Sequence, residues 1–106
     1  MDAGLVFNGT GVMGGITVDL VWTLATVEGE NFTFTQVLSI NGETIEESGG
    51  QGTFSQTQDG NFYLNFTDGT TNFGGDFIPS TGDFNGSAAQ IDGSATGGFN
   101  LKAVSS

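Results

Sequence analysis

Apolar and polar residues alternate along most of the chain instead of recurring at every third or fourth position. In ITVDLVWTLAT, residues 16–26, every second position is apolar as far as Leu24, and NFTFTQVLSI, residues 31–40, and NFYLNF, residues 61–66, show the same period. Successive side chains of a β-strand point to opposite faces, so this period predicts strands with one buried face. No segment has a helical period longer than one turn, and we therefore predict an all-β fold.

Short turn sequences separate these runs, and most of them suit two-residue hairpin turns between antiparallel neighbours. They are Gly14-Gly15, Glu28-Gly29, Asn41-Gly42, Asp59-Gly60, Asp68-Gly69 and Asp92-Gly93. We expect strands near residues 4–13, 16–27, 31–40, 43–47, 52–58, 61–67, 70–78, 83–91 and 94–104. Residues 48–52, SGGQG, form either a loop or a bulge that joins the fourth and fifth strands into one.

Eight or nine short strands joined by tight hairpins form an antiparallel up-and-down meander, and closing the meander into a barrel hides both of its edges. The spacing lacks the long crossovers of a Greek-key sandwich, while a jelly roll and an open sheet remain as alternatives. Glycines inside the strands fit the sharp bends of a small barrel. Because 106 residues suit one domain, we predict a single β-barrel domain over residues 1–106.

The predicted interior is largely aromatic. An eight-stranded barrel is only just wide enough for its own side chains, so this filling favours a packed core over a ligand cavity. The inward candidates are Phe7, Val18, Leu20, Trp22, Leu24, Phe32, Phe34, Leu38, Ile40, Phe54, Phe62, Leu64, Phe66, Phe73, Phe77, Phe84, Phe99 and Leu101.

Composition excludes several partners and chemistries. Twelve acidic residues against one basic residue, Lys102, give a formal charge of -11, which repels nucleic acid and anionic lipid surfaces. The chain has no Cys and no His, which removes Ser-His-Asp and Cys-His catalysis and thiolate or imidazole metal sites. It also lacks a long apolar run and a basic N-terminal region, so we expect neither a membrane span nor an intact signal peptide.

Acidic side chains leave little basis for an enzyme. A glycosidase needs two carboxyl groups held together in a cleft, but four of the twelve acids, Glu28, Asp59, Asp68 and Asp92, precede turn glycines. Of the remaining pairs, the adjacent Glu46 and Glu47 fall on opposite faces of a strand, and Asp76 and Asp83 flank the loop at Pro79. Calcium is the one metal that these ligands suit. Asp68 with Asn72, or Asp76 with Asp83, could gather a weak calcium site. We predict no other cofactor and no catalytic residue.

The predicted outer face is polar and rich in threonine, and flat hydrogen-bonding rows of this kind can contact protein or glycan. It includes Thr17, Thr23, Thr33, Thr35, Thr53, Ser55, Thr57, Tyr63, Asn65, Thr67 and Asn72. Four N-glycosylation sequons place their asparagines on the same face, and they matter only in an organism that glycosylates exported proteins. These glycosylation candidates are Asn8, Asn31, Asn65 and Asn85.

Residues 82–101, GDFNGSAAQIDGSATGGFNL, resemble the closing strands of the small β-barrels in bacterial surface lipoproteins of the transferrin-binding-protein-B type. In that family a strand F-x-G-x-A precedes a hairpin and a G-x-F strand. The matching residues are Phe84, Gly86 and Ala88, then Gly97 or Gly98 with Phe99. The family's Tyr-Gly-Pro turn and basic residues are absent. The resemblance implies a barrel of about this length displayed outside the cell, with no specific ligand.

Together these features predict a non-enzymatic, exported or cell-surface β-barrel module whose outer face or loops contact a protein or glycan partner. One alternative is a self-assembling structural subunit of a surface filament or layer, which pairs through exposed strand edges at the termini, such as the glycine-broken strand at residues 1–13. The other alternative is a lipocalin-like carrier of a small apolar ligand.

Overall fold

A computed structural model describes residues 2–104 as an all-β fold. Eight antiparallel strands follow one another around a closed barrel in chain order. They are β1 (Val6–Met13), β2 (Ile16–Glu28), β3 (Asn31–Ile40), β4 (Glu43–Gln56), β5 (Phe62–Thr67), β6 (Thr71–Ile78), β7 (Asp83–Gln90) and β8 (Thr96–Val104). The described residues contain no helix that could cross a membrane. The predicted antiparallel meander, closed into a barrel, is confirmed.

The strand count is eight because residues 48–52 belong to one long strand, β4. Of the two alternatives for this segment, the loop is wrong and the joining of the predicted fourth and fifth strands into one is confirmed, but the segment pairs in regular register with β3 and is not itself a bulge. The register of β4 shifts instead at Ile45, opposite Leu38 and Ser39. Gly50 and Gly52 serve close packing: a side chain at position 50 would overlap the carbonyl oxygen of Thr67, and one at position 52 would overlap Phe66.

Aromatic rings fill the centre of the barrel around Trp22. Its ring centroid lies 4.8 Å from that of Phe66, 5.0 Å from Phe73 and 4.9 Å from Phe99, each in an edge-to-face arrangement. A void beside Trp22, lined also by Phe7, Phe34 and Phe66, measures ≈ 10 Å³, far less than a ligand pocket needs. The buried core residues are Phe7, Leu20, Trp22, Leu24, Phe32, Phe34, Leu64, Phe66, Phe73, Phe77, Phe84, Ala88, Phe99 and Leu101.

Five predicted inward residues lie nearer the ends of the barrel. Four of them are partly buried and pack against the core: Val18, Leu38, Phe54 and Phe62. Ile40, at the end of β3, is half-buried and lies outside the core cluster. Ala88 joins the core although its small side chain carries no strong hydrophobic signal.

Two glycines of the last strands lie beside the ring of Phe99. Gly75, Gly86 and Phe99 are register partners across β6, β7 and β8. A methyl group at position 75 would lie 2.8 Å from Cζ of Phe99, and one at position 86 would lie 2.7 Å from the same atom. A methyl group would also meet the carbonyl oxygen of Asn85 at position 75 and that of Gly74 at position 86. The two glycines therefore make room both for the ring and for the neighbouring backbone, and β8, which carries Phe99, closes the barrel against β1.

The two ends of the barrel differ. Turns at residues 14–15, 41–42, 68–70 and 91–95 surround one end, here called the mouth, and the other end carries the first residues of β1 and the last residues of β8. β1 is hydrogen-bonded to β2 on one side and to β8 on the other. The predicted free edge is therefore wrong for Val6–Met13, because barrel closure pairs both sides of that strand; Met1 lies outside the described residues.

Candidate functional site

Cross-strand pairing arranges polar side chains in rows on the outer face between β3 and β6. The alternation of each strand places these residues outward, and the register sets them side by side. One row consists of Asn31, Thr53 and Asn65, and the next of Thr33, Gln51, Thr67 and Asn72.

These rows line a groove of ≈ 660 Å³ that also reaches Thr26 and Glu28 at the end of β2. A second depression of ≈ 380 Å³ continues it toward Tyr63 and shares Asn31, Thr53 and Asn65. A twisted sheet closed into a barrel has a saddle-shaped outer face, which is concave along one diagonal. We call the two depressions together the outer groove.

The outer groove is almost uncharged, although the chain carries a formal charge of -11. Among its described lining residues, Glu28 and Glu30 are the only charged ones, and both lie at its edge near the turn between β2 and β3. Its polar lining consists of hydroxyl and amide groups, and parts of Phe32, Phe54, Phe66 and Phe73 contribute apolar surface.

Much of the hydrogen-bonding capacity of the outer groove faces solvent. Thr26 and Thr33 bond to each other through their hydroxyl oxygens at 2.7 Å, and the Thr67 hydroxyl donates to the Thr71 carbonyl at 2.9 Å. The amide side chains of Gln51, Asn65 and Asn72 are exposed. An amide both donates and accepts hydrogen bonds, so these groups suit a ligand that does the same.

Tyr63 borders the outer groove with 40% of its surface exposed. Its hydroxyl oxygen lies 2.6 Å from the point that a methyl group on Gly74 would occupy. The tyrosine therefore reaches across the neighbouring strand at a residue without a side chain. Its aromatic ring supplies an apolar surface beside the polar rows.

A buried polar network lies at the opposite face of the same strands, below the mouth. The indole nitrogen of Trp22 donates to Oε1 of Gln36 at 2.6 Å. Nε2 of Gln36 then donates to Oγ of Ser48 at 3.1 Å and to Oδ2 of Asp68 at 3.1 Å, with Oε2 of Glu46 at 3.4 Å. The tryptophan N–H can only donate, so it fixes which end of the amide faces the acids.

Two opposing effects act on the pKa of Asp68. Partial burial raises it, but hydrogen bonds from the backbone amides of Thr70 and Thr71, the Thr70 hydroxyl and Gln36 together outweigh burial and hold the pKa below its ordinary value. The hydrogen bonds from the turn converge on Oδ1, which lies 2.9 Å from the backbone nitrogen of Thr70 and 2.8 Å from that of Thr71. Asp68 is therefore a stable anion at neutral pH.

The calcium candidates do not converge in pairs. The carboxylate of Asp68 binds its own turn and Gln36, whereas Asn72 is exposed on the outer face. Asp76 and Asp83 both lie on outward positions of β6 and β7, but Asp83 binds Lys102 at 3.3 Å. The described residues contain no group of three or more acidic, Cys or His side chains that could hold a metal ion. Calcium stays a prediction, tested by whether a chelator lowers the melting temperature.

The four sequon asparagines are all exposed. Asn31 and Asn65 flank Thr53 within the outer groove. Asn85 lies on β7 opposite Asp76, and Asn8 lies on β1 opposite Lys102. A glycan on Asn31 or Asn65 would fill the outer groove, so glycosylation and ligand binding there exclude each other.

Sequence reasoning missed Gln36 and Thr71, which are 1% and 7% exposed. Gln36 occupies an inward position between Phe34 and Leu38 in the alternating pattern of β3, which is the signal that could have found it. Thr71 likewise falls two residues before the inward Phe73. A polar residue within an apolar stripe indicates a buried hydrogen bond or a cavity.

Comparison with family models, curated proteins and solved structures finds nothing that matches this chain. The functional proposal therefore depends on the geometry of the barrel.

Proposed function

We propose that this barrel is a non-enzymatic binding module of an exported or cell-surface protein, and that its outer groove contacts another macromolecule. The observation that carries the proposal is the nearly uncharged groove of ≈ 660 Å³ on a strongly acidic protein. Acidic side chains elsewhere keep the protein soluble, while the groove offers hydroxyl and amide groups without electrostatic repulsion. The resemblance of residues 82–101 to surface-lipoprotein barrels supports display outside the cell.

A neutral polysaccharide is the partner class that the outer groove suits best. Sugar hydroxyls donate and accept hydrogen bonds, as do the amides of Gln51, Asn65 and Asn72. The exposed ring of Tyr63 lies beside these amides and offers an apolar face for a sugar ring. Protein interfaces centre on Trp, Tyr and Arg anchors, and the described lining of the groove includes one residue of these types, Tyr63.

The two alternatives have less support. Pairing of β1 with β8 removes the strand edge through which a self-assembling subunit would associate, and a discrete monomer at high protein concentration would argue further against that function. A carrier of drug-sized apolar ligands needs an internal cavity of about 300 Å³ or more, whereas the void beside Trp22 measures ≈ 10 Å³ and the cavity at the mouth ≈ 160 Å³. Failure to bind an apolar dye would reject the carrier function.

Affinity electrophoresis through gels that contain laminarin, xylan, mannan or soluble starch tests the proposal. We expect at least one of these neutral polysaccharides to retard the protein, and a gel that contains heparin to leave it unretarded because heparin is anionic. The variant Asn65→Ala/Asn72→Ala removes two amides from the outer groove. It should bind the retarding polysaccharide at least tenfold more weakly.

The matched control is Asn85→Ala/Asn100→Ala, which removes two exposed amides that face each other across β7 and β8, away from the groove. This control should bind like the unmodified protein. Equal losses in both double variants, or no retardation by any of the four polysaccharides, would reject the outer groove as a glycan site. Retardation by heparin alone would also reject it.

A further inference from the structure

The mouth of the barrel contains a cavity of ≈ 160 Å³ that is separate from the outer groove. Apolar side chains form its walls, among them Leu20, Leu38 and Phe73. Polar groups meet at one side of it: Gln36, Glu46, Asp68 and Thr71. Apolar walls with a few converging polar groups are the usual form of a small-molecule site.

Two carboxylates, one from strand β4 and one from the turn between β5 and β6, meet at one amide nitrogen in this cavity. Nε2 of Gln36 lies 3.1 Å from Oδ2 of Asp68 and 3.4 Å from Oε2 of Glu46. The turn amides bind the other oxygen of Asp68, Oδ1, so Oδ2 keeps capacity for a further donor. Glu46 faces the cavity with no other hydrogen bond among the described residues and is exposed at the mouth.

Thr71 adds an independent observation. Its side chain is 7% exposed, lies on the inward face of β6 and lines the cavity. Within residues 2–104, its side-chain hydroxyl has no hydrogen-bond partner, because the bonds that Thr71 makes to Asp68 and Thr67 use its backbone amide and carbonyl. The described residues contain no fully buried side-chain oxygen or nitrogen that lacks a partner, so the Thr71 hydroxyl keeps contact with the open space of the cavity and is available to a molecule that binds there.

We propose that the mouth cavity binds an alkylammonium group. The ammonium would donate to Asp68, Glu46 and the Thr71 hydroxyl, and the methylenes would lie against Leu20 and Leu38. No basic side chain of the protein neutralises Asp68 and Glu46, because the single one in the sequence, Lys102, binds Asp83 near the opposite end of the barrel.

Cavity size limits the ligand. A cavity of about 150 Å³ holds one benzene molecule, so ≈ 160 Å³ accommodates a chain of four or five methylenes with its nitrogen. That chemistry occurs in small primary amines and at the end of a lysine side chain. The same site therefore accepts either a free amine or a lysine of a partner protein, and the experiment below distinguishes these two sources.

Titration with n-butylammonium, followed by NMR, tests the proposal. The chain has one tryptophan, so its indole N–H gives one identifiable signal, and that N–H is linked to Asp68 through Gln36. We expect this signal to shift in a saturable manner. The uncharged 1-butanol and the anion butyrate should cause no saturable shift, and 1 M NaCl should weaken butylammonium binding several-fold.

Isosteric variants locate the site. Glu46→Gln and Asp68→Asn should each weaken butylammonium binding at least tenfold, while Glu47→Gln, which removes the same charge from the neighbouring outward position, should bind within twofold of the unmodified protein. Glu46 is exposed and makes one long hydrogen bond, so its variant should fold even if Asp68→Asn does not. Equal binding by all variants, or an equal response to 1-butanol, would overturn the proposal.

A final arm compares n-butylammonium with Nα-acetyl-lysinamide. Binding of the lysine derivative with similar or higher affinity supports a lysine side chain as the physiological occupant. Binding of n-butylammonium alone supports a free amine. A saturable shift by neither compound refutes the alkylammonium site.

Discussion

Trp22 and Gln36 form a hydrogen bond in the interior, with the indole nitrogen 2.6 Å from the amide oxygen. Both side chains are almost fully buried. The bond joins the aromatic core to the polar network at the mouth, because the same amide binds Ser48 and Asp68. Core packing and the electrostatics of the mouth cavity are therefore linked through one side chain.

Replacement of Gln36 by leucine should destabilise the barrel. The variant leaves the indole N–H of Trp22 buried without an acceptor, which costs about 1–3 kcal/mol. Urea unfolding followed by the fluorescence of the single tryptophan measures this loss. Gln51→Leu is the matched control, since Gln51 is exposed on the outer face, and it should change the free energy of unfolding by less than about 0.5 kcal/mol. Equal losses in the two variants would contradict the assigned bond.

Much of the fold follows from local sequence signals. Alternation in β2, β3 and β5 identifies the buried face of each strand directly, because the period of two residues is a property of the extended backbone. The pair Asn41-Gly42 adopts positive φ angles of 52° and 81°, as a primed hairpin turn requires. The turn sequences and the alternation together predict an antiparallel meander.

Local sequence signals could not predict that β4 is one long strand. Gly49, Gly50 and Gly52 suggest a break when only neighbours in sequence are considered, but Gly50 and Gly52 fit against Thr67 and Phe66 of β5. Their role depends on a strand more than ten residues away along the chain. Local propensity cannot distinguish a glycine of this kind from a turn glycine.

The candidate sites were less predictable than the fold. Alternation places Asn31, Thr53 and Asn65 on the outer face, but only the register of three strands makes them neighbours. The mouth network similarly combines Gln36 with Asp68, 32 positions apart in the chain. The face on which a side chain lies follows from the alternation within its own strand. The residues that lie beside it depend on how the strands pair in the barrel.

Asp68 should make stability depend on acidity. Its folded pKa lies below the ordinary value, so its contribution is complete above the unfolded pKa of about 3.9 and is lost as pH falls through the folded pKa. Asp68→Asn should be less stable at neutral pH by on the order of 1 kcal/mol. The difference between the two proteins should shrink below about pH 4. Urea unfolding of both proteins from neutral pH to about pH 2.5 checks this, and a difference that does not change with pH would contradict it.

Added salt should stabilise the protein. With a formal charge of -11, we expect repulsion among carboxylates to exceed the attraction of the one ion pair found within residues 2–104, between Lys102 and Asp83, whose side chains are 64% and 40% exposed. Such a pair contributes about 0–1 kcal/mol, and salt screens the repulsion more than it weakens this pair. The melting temperature should rise with NaCl, and Lys102→Gln should show a similar rise. A melting temperature that falls with salt would show that attractive pairs dominate.

Adjacent glycines of β6 allow a direct test of barrel packing. A methyl group on Gly75 would point inward, 2.6 Å from the carbonyl oxygen of Asn85 and 2.8 Å from Cζ of Phe99. Neither atom can withdraw without moving the backbone or the core, so Gly75→Ala should lower the free energy of unfolding by about 1–3 kcal/mol.

Gly74→Ala is the matched control for that variant because it makes the same chemical change one residue earlier. Its methyl group would point outward and meet the hydroxyl of Tyr63 at 2.6 Å, and this exposed side chain can swing away. Both substitutions restrict the unfolded chain to a similar degree, so the difference between them reports packing in the folded state. Gly74→Ala should stay within about 0.5 kcal/mol of the unmodified protein; equal losses at positions 74 and 75, measured by urea unfolding, would contradict the inward placement of Phe99 over Gly75.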